Sequence, residues 1–517
     1  MLGWFNTGKV DHALADPAES KRVIQDLPRD PLKAVGEILF WLDSINTTDG
    51  FRLERRFELV HEFDLAAKVH VRKLAQEYFE ERDQKFHENR IWTAQTEYWR
   101  LTAAGYIQCV EGFKTVAAGA TGLRGRLPVV VGRALHALRQ LLKWSLLRYG
   151  PIDGLVWSDL GSLYAFAEAK GFAQLVVPLY EGAVAGTSAH FECLKTVMLA
   201  VVSTDSLPPD QIEIAERSVA LFAPHYVIER SASPATPYVF DLATGRPPGR
   251  VHAGSSVSSE SSLRYFGPGA AGDEVGRLLG TLLEEGALPS NVSLGSDYDP
   301  HAIAGVWRHL LQHWAPTPPQ RSSIRHVANV RLSVVEGFQG LTQTLTMTAE
   351  HSLDFSAGTG PRIETWFADN ASVGGYGCIV PVRGSEWVRV GGLIGVKMQG
   401  DRHWGAGVVR RIRHGSEQNW TVGVQVLAQI VVPIRVAPHD VIVPFNAVRE
   451  NDPGILLTPR PDAERGVSIM LPAGAYSPGQ PLEMRVHEQA FRVEPVKLLE
   501  GGEAFDVARF VLVRRLR

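Results

Sequence analysis

Apolar residues recur with two different periods in this chain, and the change falls near residue 324. Upstream they follow the three-and-four spacing of a helix face. Asp30 offers an N-cap carboxylate and Pro31 the fixed φ of a first turn, and Val35, Ile38, Leu39 and Leu42 then fall on one face. Further helices are expected over 53–79, 91–113, 128–149, 157–171 and 189–202. Gly150-Pro151 stops the one at 128–149, and Pro208-Pro209-Asp210 opens a last one that ends before Pro224. Two readings are open for this part: stacked pairs of the tetratricopeptide kind, or an irregular bundle. No clean 34-residue period supports the first.

Downstream of 324 the period is two, the signature of strands with one buried face. Expected strands cover 327–335, 342–349, 363–369, 378–382, 393–398, 407–413 and 420–428, separated by glycine-containing turns. That pattern argues for a small antiparallel barrel. A second β-rich block has expected strands at 467–470, 482–486, 491–499 and 505–513. Between the two regimes, Pro, Gly and Ser dominate 231–270, which reads as a connecting region, and a short helical pair follows at 273–286 and 299–314. The 517 residues exceed what one core can organise. The expected domains are a helical one over 1–228, a linker with a helical pair over 229–315, a barrel over 316–436 and a second β-rich domain over 437–517.

Composition removes several classes of function. The net charge of −3, from 53 basic and 56 acidic residues, supplies no global field toward DNA or membrane, so no DNA partner is expected. No run of about 18 apolar residues exists, so no membrane span is expected. Cys109, Cys193 and Cys378 are far apart, which argues against a disulfide framework or zinc ribbon and for a reducing, cytoplasmic setting. The N-terminus has neither the basic nor the apolar region of a signal peptide.

Most short motifs fail. Gly3-Trp4-Phe5-Asn6-Thr7-Gly8-Lys9-Val10 has the Walker A spacing, but Val10 stands where a magnesium-binding hydroxyl is needed and no strand precedes it. Gly119 to Gly125 is glycine-rich without GxGxxG. His301, His309 and His313 cluster by helical spacing around Trp307 and Trp314 but lack further ligands, so surface or packing histidines are expected, and no metal or other cofactor. No paired carboxylates, nucleophile–base pair or metal cluster stands in a convincing setting, so the chain is not expected to be an enzyme.

One constellation survives. Arg321-Ser322-Ser323-Ile324-Arg325 is RxxxR, which alone is cheap, since Arg52/Arg56 and Arg246/Arg250 match too. After the first expected strand comes Asp369-Asn370-Ala371-Ser372-Val373-Gly374-Gly375-Tyr376-Gly377, which contains [DN]xSxxG with Asn370, Ser372 and Gly375 at the fixed positions. Then follow Trp404-Gly405-Ala406-Gly407-Val408-Val409-Arg410 and Val422-Gly423-Val424-Gln425-Val426-Leu427. Between 321 and 450 there are 13 basic side chains, all arginine except Lys397, against ten acids. Arginine's planar fork bonds phosphate or a guanine edge, and its face stacks on a base. Asn370 and Ser372 can donate and accept at a purine edge, and Gly374 and Gly375 allow positive φ and close approach.

RxxxR followed by NxSxxG on a barrel pattern resembles the PilZ domain, the bacterial receptor module for cyclic di-GMP, over roughly residues 316–435. Taken with the two periodicities, the expected fold is a multidomain α + β protein: a helical N-terminal domain, repeat-like or irregular, then a PilZ-like antiparallel β-barrel and a further small β-domain. The resemblance implies that Arg321 and Arg325 clamp the ligand, that the Asp369-Asn370-Ala371-Ser372 loop with Gly374 and Gly375 holds a guanine, and that Arg410 contributes from its strand. Arg325 and Asn370 lie 45 positions apart, and the extra segment 338–360 reads as an added hairpin. The expected role is a signalling effector in motility, pilus, adhesion or exopolysaccharide control, whose helical domain contacts a protein partner or makes a homo-oligomer. The rival reading is a helical scaffold carrying a barrel that binds nothing.

Overall fold

A computed structural model describes residues 11–80, 85–182, 186–251, 261–317, 324–350, 360–416, 418–439, 451–458 and 460–516. The chain forms two compact units, one spanning 1–204 and 209–319, the other 205–208 and 320–517.

The first unit is mainly helical: α1 (Pro17–Gln25), α2 (Pro31–Thr47), α3 (Leu53–Glu80), α4 (Lys85–Lys114), α5 (Ala120–Leu123), α6 (Leu127–Leu146), α7 (Gly154–Ala169), α8 (Ala189–Ala200), α9 (Pro209–Leu221), α10 (Ala271–Glu285) and α11 (Pro300–Trp314). The sequence signals act as expected. The Asp30 carboxylate accepts from the Lys33 amide at 2.9 Å, and Val35, Ile38 and Leu42 are fully buried. Gly286, at φ 72°, ends α10 in the left-handed conformation that glycine adopts at low cost. The helices do not stack as a repeat. α4 packs against α2, α3 and α6, so the arrangement is an irregular bundle rather than a row in which each pair touches only its neighbours. The connecting region also departs from expectation. Strands β1 (Val227–Glu229), β2 (Tyr238–Asp241), β3 (Gly249–Arg250) and β4 (Leu263–Gly267) form a four-stranded sheet in the order β1-β4-β2-β3. Tyr238, Phe240, Tyr265 and Phe266 are buried in it. Such short strands carry too few alternations to be read from a Pro- and Gly-rich stretch.

The second unit holds two closed six-stranded antiparallel barrels. The first runs β5 (His326–Glu336), β6 (Ile363–Ser372), β7 (Gly375–Pro381), β8 (Leu393–Met398), β9 (Gly405–Ser416) and β10 (Asn419–Ala428), in the spatial order β10-β7-β6-β5-β8-β9. The expected strand at 342–349 and the first half of the added hairpin are corrected: Gly337–Glu350 is a helix, α12, and residues 351–359 of that segment lie outside the described residues. Threonines at 342, 344, 346 and 348 mimic a strand's alternation, but Thr342, Thr344 and Thr346 each turn the hydroxyl back onto the carbonyl four residues earlier, while Phe338, Leu341 and Leu345 bury on one side. The second barrel comprises β11 (Val432–Pro438), β12 (Asp452–Leu456), β13 (Gly466–Pro472), β14 (Leu482–Val486), β15 (Gln489–Gly501) and β16 (Phe505–Leu516). β11 and β12 were absent from the sequence expectation. The two barrels share one apolar cluster, in which Phe338, Leu341 and Leu345 of α12 and Trp404 and Val408 of β9's side meet Ile455, Met470, Phe505 and Val507. Val334 and Val335, neighbours on β5, are therefore both buried, and Val335 belongs to the shared cluster.

Candidate functional site: an arginine-lined cleft on the first barrel

The register between β5 and β6 builds the site. The strands are antiparallel, with His326 opposite Ala371 and Val327 opposite Asn370. That pairing brings Arg325, just ahead of β5, onto the end of β6. Arg325 Nη1 donates to Asn370 Oδ1 at 2.8 Å across a separation of 45 residues. Asn370 Nδ2 in turn donates to Asp369 Oδ1 at 2.6 Å. The amide is thus oriented from both ends, its oxygen by a cation and its nitrogen by a carboxylate. Asp369 sits in a break of register between β6 and β7, which falls between Ala368 and Asn370.

The positive φ expected of the glycines is not found, and Gly375 and Gly377 have a steric purpose of their own. Neither Gly374 nor Gly375 has positive φ. A Cβ on Gly375 would lie 2.1 Å from the Val424 carbonyl oxygen, so this position is glycine because β10 passes against it. A Cβ on Gly377 would lie 2.5 Å from Asn370 Nδ2, so Gly377 makes the space that the oriented amide fills. The Gly374 carbonyl accepts from the Val426 amide at 3.0 Å, and Ser372 Oγ donates to the Gly375 carbonyl at 3.4 Å.

A β-bulge supplies the cations. On β9 the partners of Gly423 and Val424 are Arg411 and Val409, so Arg410 is the extra residue. Arg410 and Arg411 both face outward in consequence, and Arg413 follows on the same side, while Val408 is buried by the cluster shared with the second barrel and Val409 is buried on the opposite face. Arg410 Nε donates to Gln425 Oε1 at 2.7 Å, and its Nη2 pairs with Glu500 Oε2 of the second barrel at 2.7 Å. Asp205, from the short segment that groups with this unit, pairs with Arg411 at 3.3 Å and with Arg413.

The result is a cleft of about 440 Å³, lined by Arg325, Asn370, Ser372, Gly374, Gly375 and Arg410 together with Gly377, Arg411, Arg413, Gly423 and Gln425. Asp369 is not part of the lining and acts through Asn370. Arg321 lies outside the described residues. Sequence reasoning assigned no role to Arg411, Arg413, Gln425 or Gly377. The Arg-Arg-x-Arg run was visible, but plain alternation would turn Arg410 and Arg411 to opposite faces, and only the bulge turns both outward. Behind the cleft, burial and the charge of Asp369 push the Cys378 thiol up to about 12, so it is a neutral packing group near pH 7. Cys109, Cys193 and Cys378 are all buried and free. His309 Nε2 meets the Val202 carbonyl at 2.6 Å, whereas His301 is exposed.

Comparison with known families gives two matches. Residues 18–234 match the N-terminal domain of the cyclic-di-GMP receptor FimW. Residues 343–433 match its middle PilZ domain, a stretch that holds Asn370, Ser372 and Arg410 but begins within α12, after Arg325 and β5. No curated protein and no solved structure matches the sequence significantly. No described helix is long and apolar enough to cross a membrane. This chain carries the N-terminal domain and the middle PilZ domain of the FimW family of cyclic-di-GMP receptors, and the PilZ match overlaps its first barrel.

Proposed function

We propose that the cleft on the first barrel binds cyclic di-GMP and that the protein acts in the cytoplasm as a receptor rather than as an enzyme. The observation that carries this is the Arg325–Asn370 hydrogen bond: two short motifs, each common alone, converge on one cleft through strand register. The ligand has two phosphates and two guanines. Arg325, joined by Arg321, faces the phosphates or stacks on a base, and Arg410, Arg411 and Arg413 add cations along β9. Asn370, held by Asp369, and Ser372 meet the guanine edge, with the backbone at Gly374 and Gly375 close by. Electrostatics favours this assignment, because the cleft concentrates arginine in a chain whose net charge is −3.

The binding event changes what the arginines touch. Ligand phosphates compete with Asp205 for Arg411 and Arg413, and with Glu500 for Arg410, so occupation of the cleft alters contacts that now tie it to other segments of the same unit. We infer that the helical unit passes this change to a protein partner or to a second copy of the chain, with an output in motility, pili, adhesion or exopolysaccharide. Displacement of a fluorescent cyclic di-GMP analogue tests the site. Arg325→Ala and Asn370→Ala are each expected to weaken binding roughly 10- to 100-fold, the value of about 1.5–3 kcal/mol for a hydrogen bond to a charged group. Unchanged affinity in both folded variants would remove the cleft as the site.

A further inference from the structure

The helical unit contains a cavity of about 760 Å³ that no part of the cyclic di-GMP reading uses. Its volume is within the range of small-molecule sites. Its construction separates groups already matched within the protein from groups left to meet a ligand.

The floor is a network of ion pairs, buried except at the partly exposed Arg217 and continued through Arg139 to Glu192. Lys143 pairs with Glu213 and, at 3.9 Å, with Glu216, Arg139 pairs with Glu216, and Arg217 pairs with Glu213 at 2.9 Å. Glu213 and Glu216 are matched by internal cations, and with Asp210 and Glu80 the lining carries four carboxylates against five cations, Lys68, Arg72, Arg139, Lys143 and Arg217. The walls are aromatic and fixed. Trp99 meets Tyr98 edge-on at 4.8 Å and His136 at 5.6 Å, and His136 meets Tyr180 at 6.1 Å. Their polar ends are tied back: Trp99 Nε1 donates to Gln95 Oε1 at 3.2 Å, and Tyr98 Oη donates to Asp64 Oδ1 at 2.7 Å. Rings held this way present their faces at little entropic cost.

Two cations on the lining stand apart from this network. Lys68 and Arg72 are one turn apart on α3, and both are exposed. Lys68 Nζ rests over the Tyr180 ring, 4.8 Å from its centroid. Among the described residues neither Lys68 nor Arg72 forms an ion pair. A rigid aromatic slot with matched charges at its base and two unmatched cations at its edge selects a planar ring that carries a negative charge.

We propose that this cavity binds a small planar aromatic anion, such as an aromatic carboxylate, with the ring among Trp99, Tyr180 and Phe79 and the anionic group on Lys68 and Arg72. It gives the protein a second input, independent of the nucleotide cleft. Three probes with the same ring and different charge test it on the full chain: indole-3-acetate, indole and tryptamine, titrated by saturation-transfer NMR. Indole-3-acetate is expected to bind saturably, and the neutral and cationic analogues at least tenfold more weakly. Lys68→Glu/Arg72→Glu is expected to weaken indole-3-acetate at least tenfold with the melting temperature unchanged, since both residues are exposed. A Tyr180→Leu variant, which removes the ring but not the charges, is expected to weaken the anion as well. Equal binding of the three probes, indifference of the anion to charge reversal, or no binding of indole-3-acetate by the folded wild type would each overturn the proposal.

Discussion

Gly375 and Gly377 stand two residues apart on β7, and adding one methyl to each has different consequences. At Gly375 the new Cβ meets backbone, the Val424 carbonyl oxygen at 2.1 Å, which can retreat only if β10 moves. Gly375→Ala is expected to destabilise the barrel by about 1–3 kcal/mol, read from denaturant unfolding. At Gly377 the new Cβ meets the Asn370 side chain, which can rotate away. Gly377→Ala is expected to cost little stability and much affinity, because rotation breaks the hold of Arg325 and Asp369 on the amide. A variant that unfolds early yet binds normally would contradict this account of Gly377. The motif positions Asn370, Ser372 and Gly375 were legible in the sequence because each needs one residue type at one place. Arg411 and Arg413 were not, since their direction depends on a bulge that no local residue announces.

At the level of elements, strands with clean alternation were readable almost to the residue: 393–398 and 482–486 were expected where β8 and β14 lie. α12 was misread because its threonines alternate, and the apolar contacts that make it a helix come partly from the second barrel. Tertiary packing outweighed local propensity there. The same packing joins the barrels, and Arg410 adds a polar link through Glu500 at 2.7 Å. Glu500 competes with a ligand phosphate for that guanidinium. Glu500→Gln is therefore expected to tighten cyclic di-GMP binding severalfold by calorimetry, with the gain lost when Arg410 is also replaced by alanine. The effect is modest because the pair is partly exposed and screened. A weaker-binding Glu500→Gln would show that Glu500 orients Arg410 rather than competing for it.

At the level of the whole molecule, the helical unit is organised around buried charge. Asp64 and Arg133 are each 1% exposed and paired, and Tyr98 and Tyr106 also donate to the Asp64 carboxylate. Asp64→Ala strands the Arg133 cation and is expected to destabilise this unit by about 3–5 kcal/mol. Acid acts in the same direction. Burial alone would raise the Glu192 and Glu213 carboxyls, but Lys195 and Arg139 around the first, and Lys143 and Arg217 around the second, hold both below the ordinary carboxylate range. A depressed carboxyl contributes stability above its unfolded value and loses it as pH falls through the folded one. Burial likewise lowers His61 and His136, which must charge on unfolding in acid. The melting temperature is therefore expected to start falling below about pH 6.5 and to fall more steeply below about 4.5, the ordinary histidine and glutamate values. A flat melting temperature from pH 7 to 4 would contradict this. The Asp64–Arg133 pairing was not legible in the sequence, because the two residues are 69 positions apart and become partners only once α3 and α6 both pack on α4.

The central claim concerns the cleft where Arg325 meets Asn370, and calorimetric titration of the full chain with cyclic di-GMP tests it most directly. GTP serves as control and Arg321→Ala/Arg325→Ala as the comparison. Saturable binding of cyclic di-GMP, none of GTP, and loss of the signal in a variant that still folds is the predicted result. A folded wild-type protein that gives no heat with cyclic di-GMP, or a double variant that binds as tightly as the wild type, would contradict it.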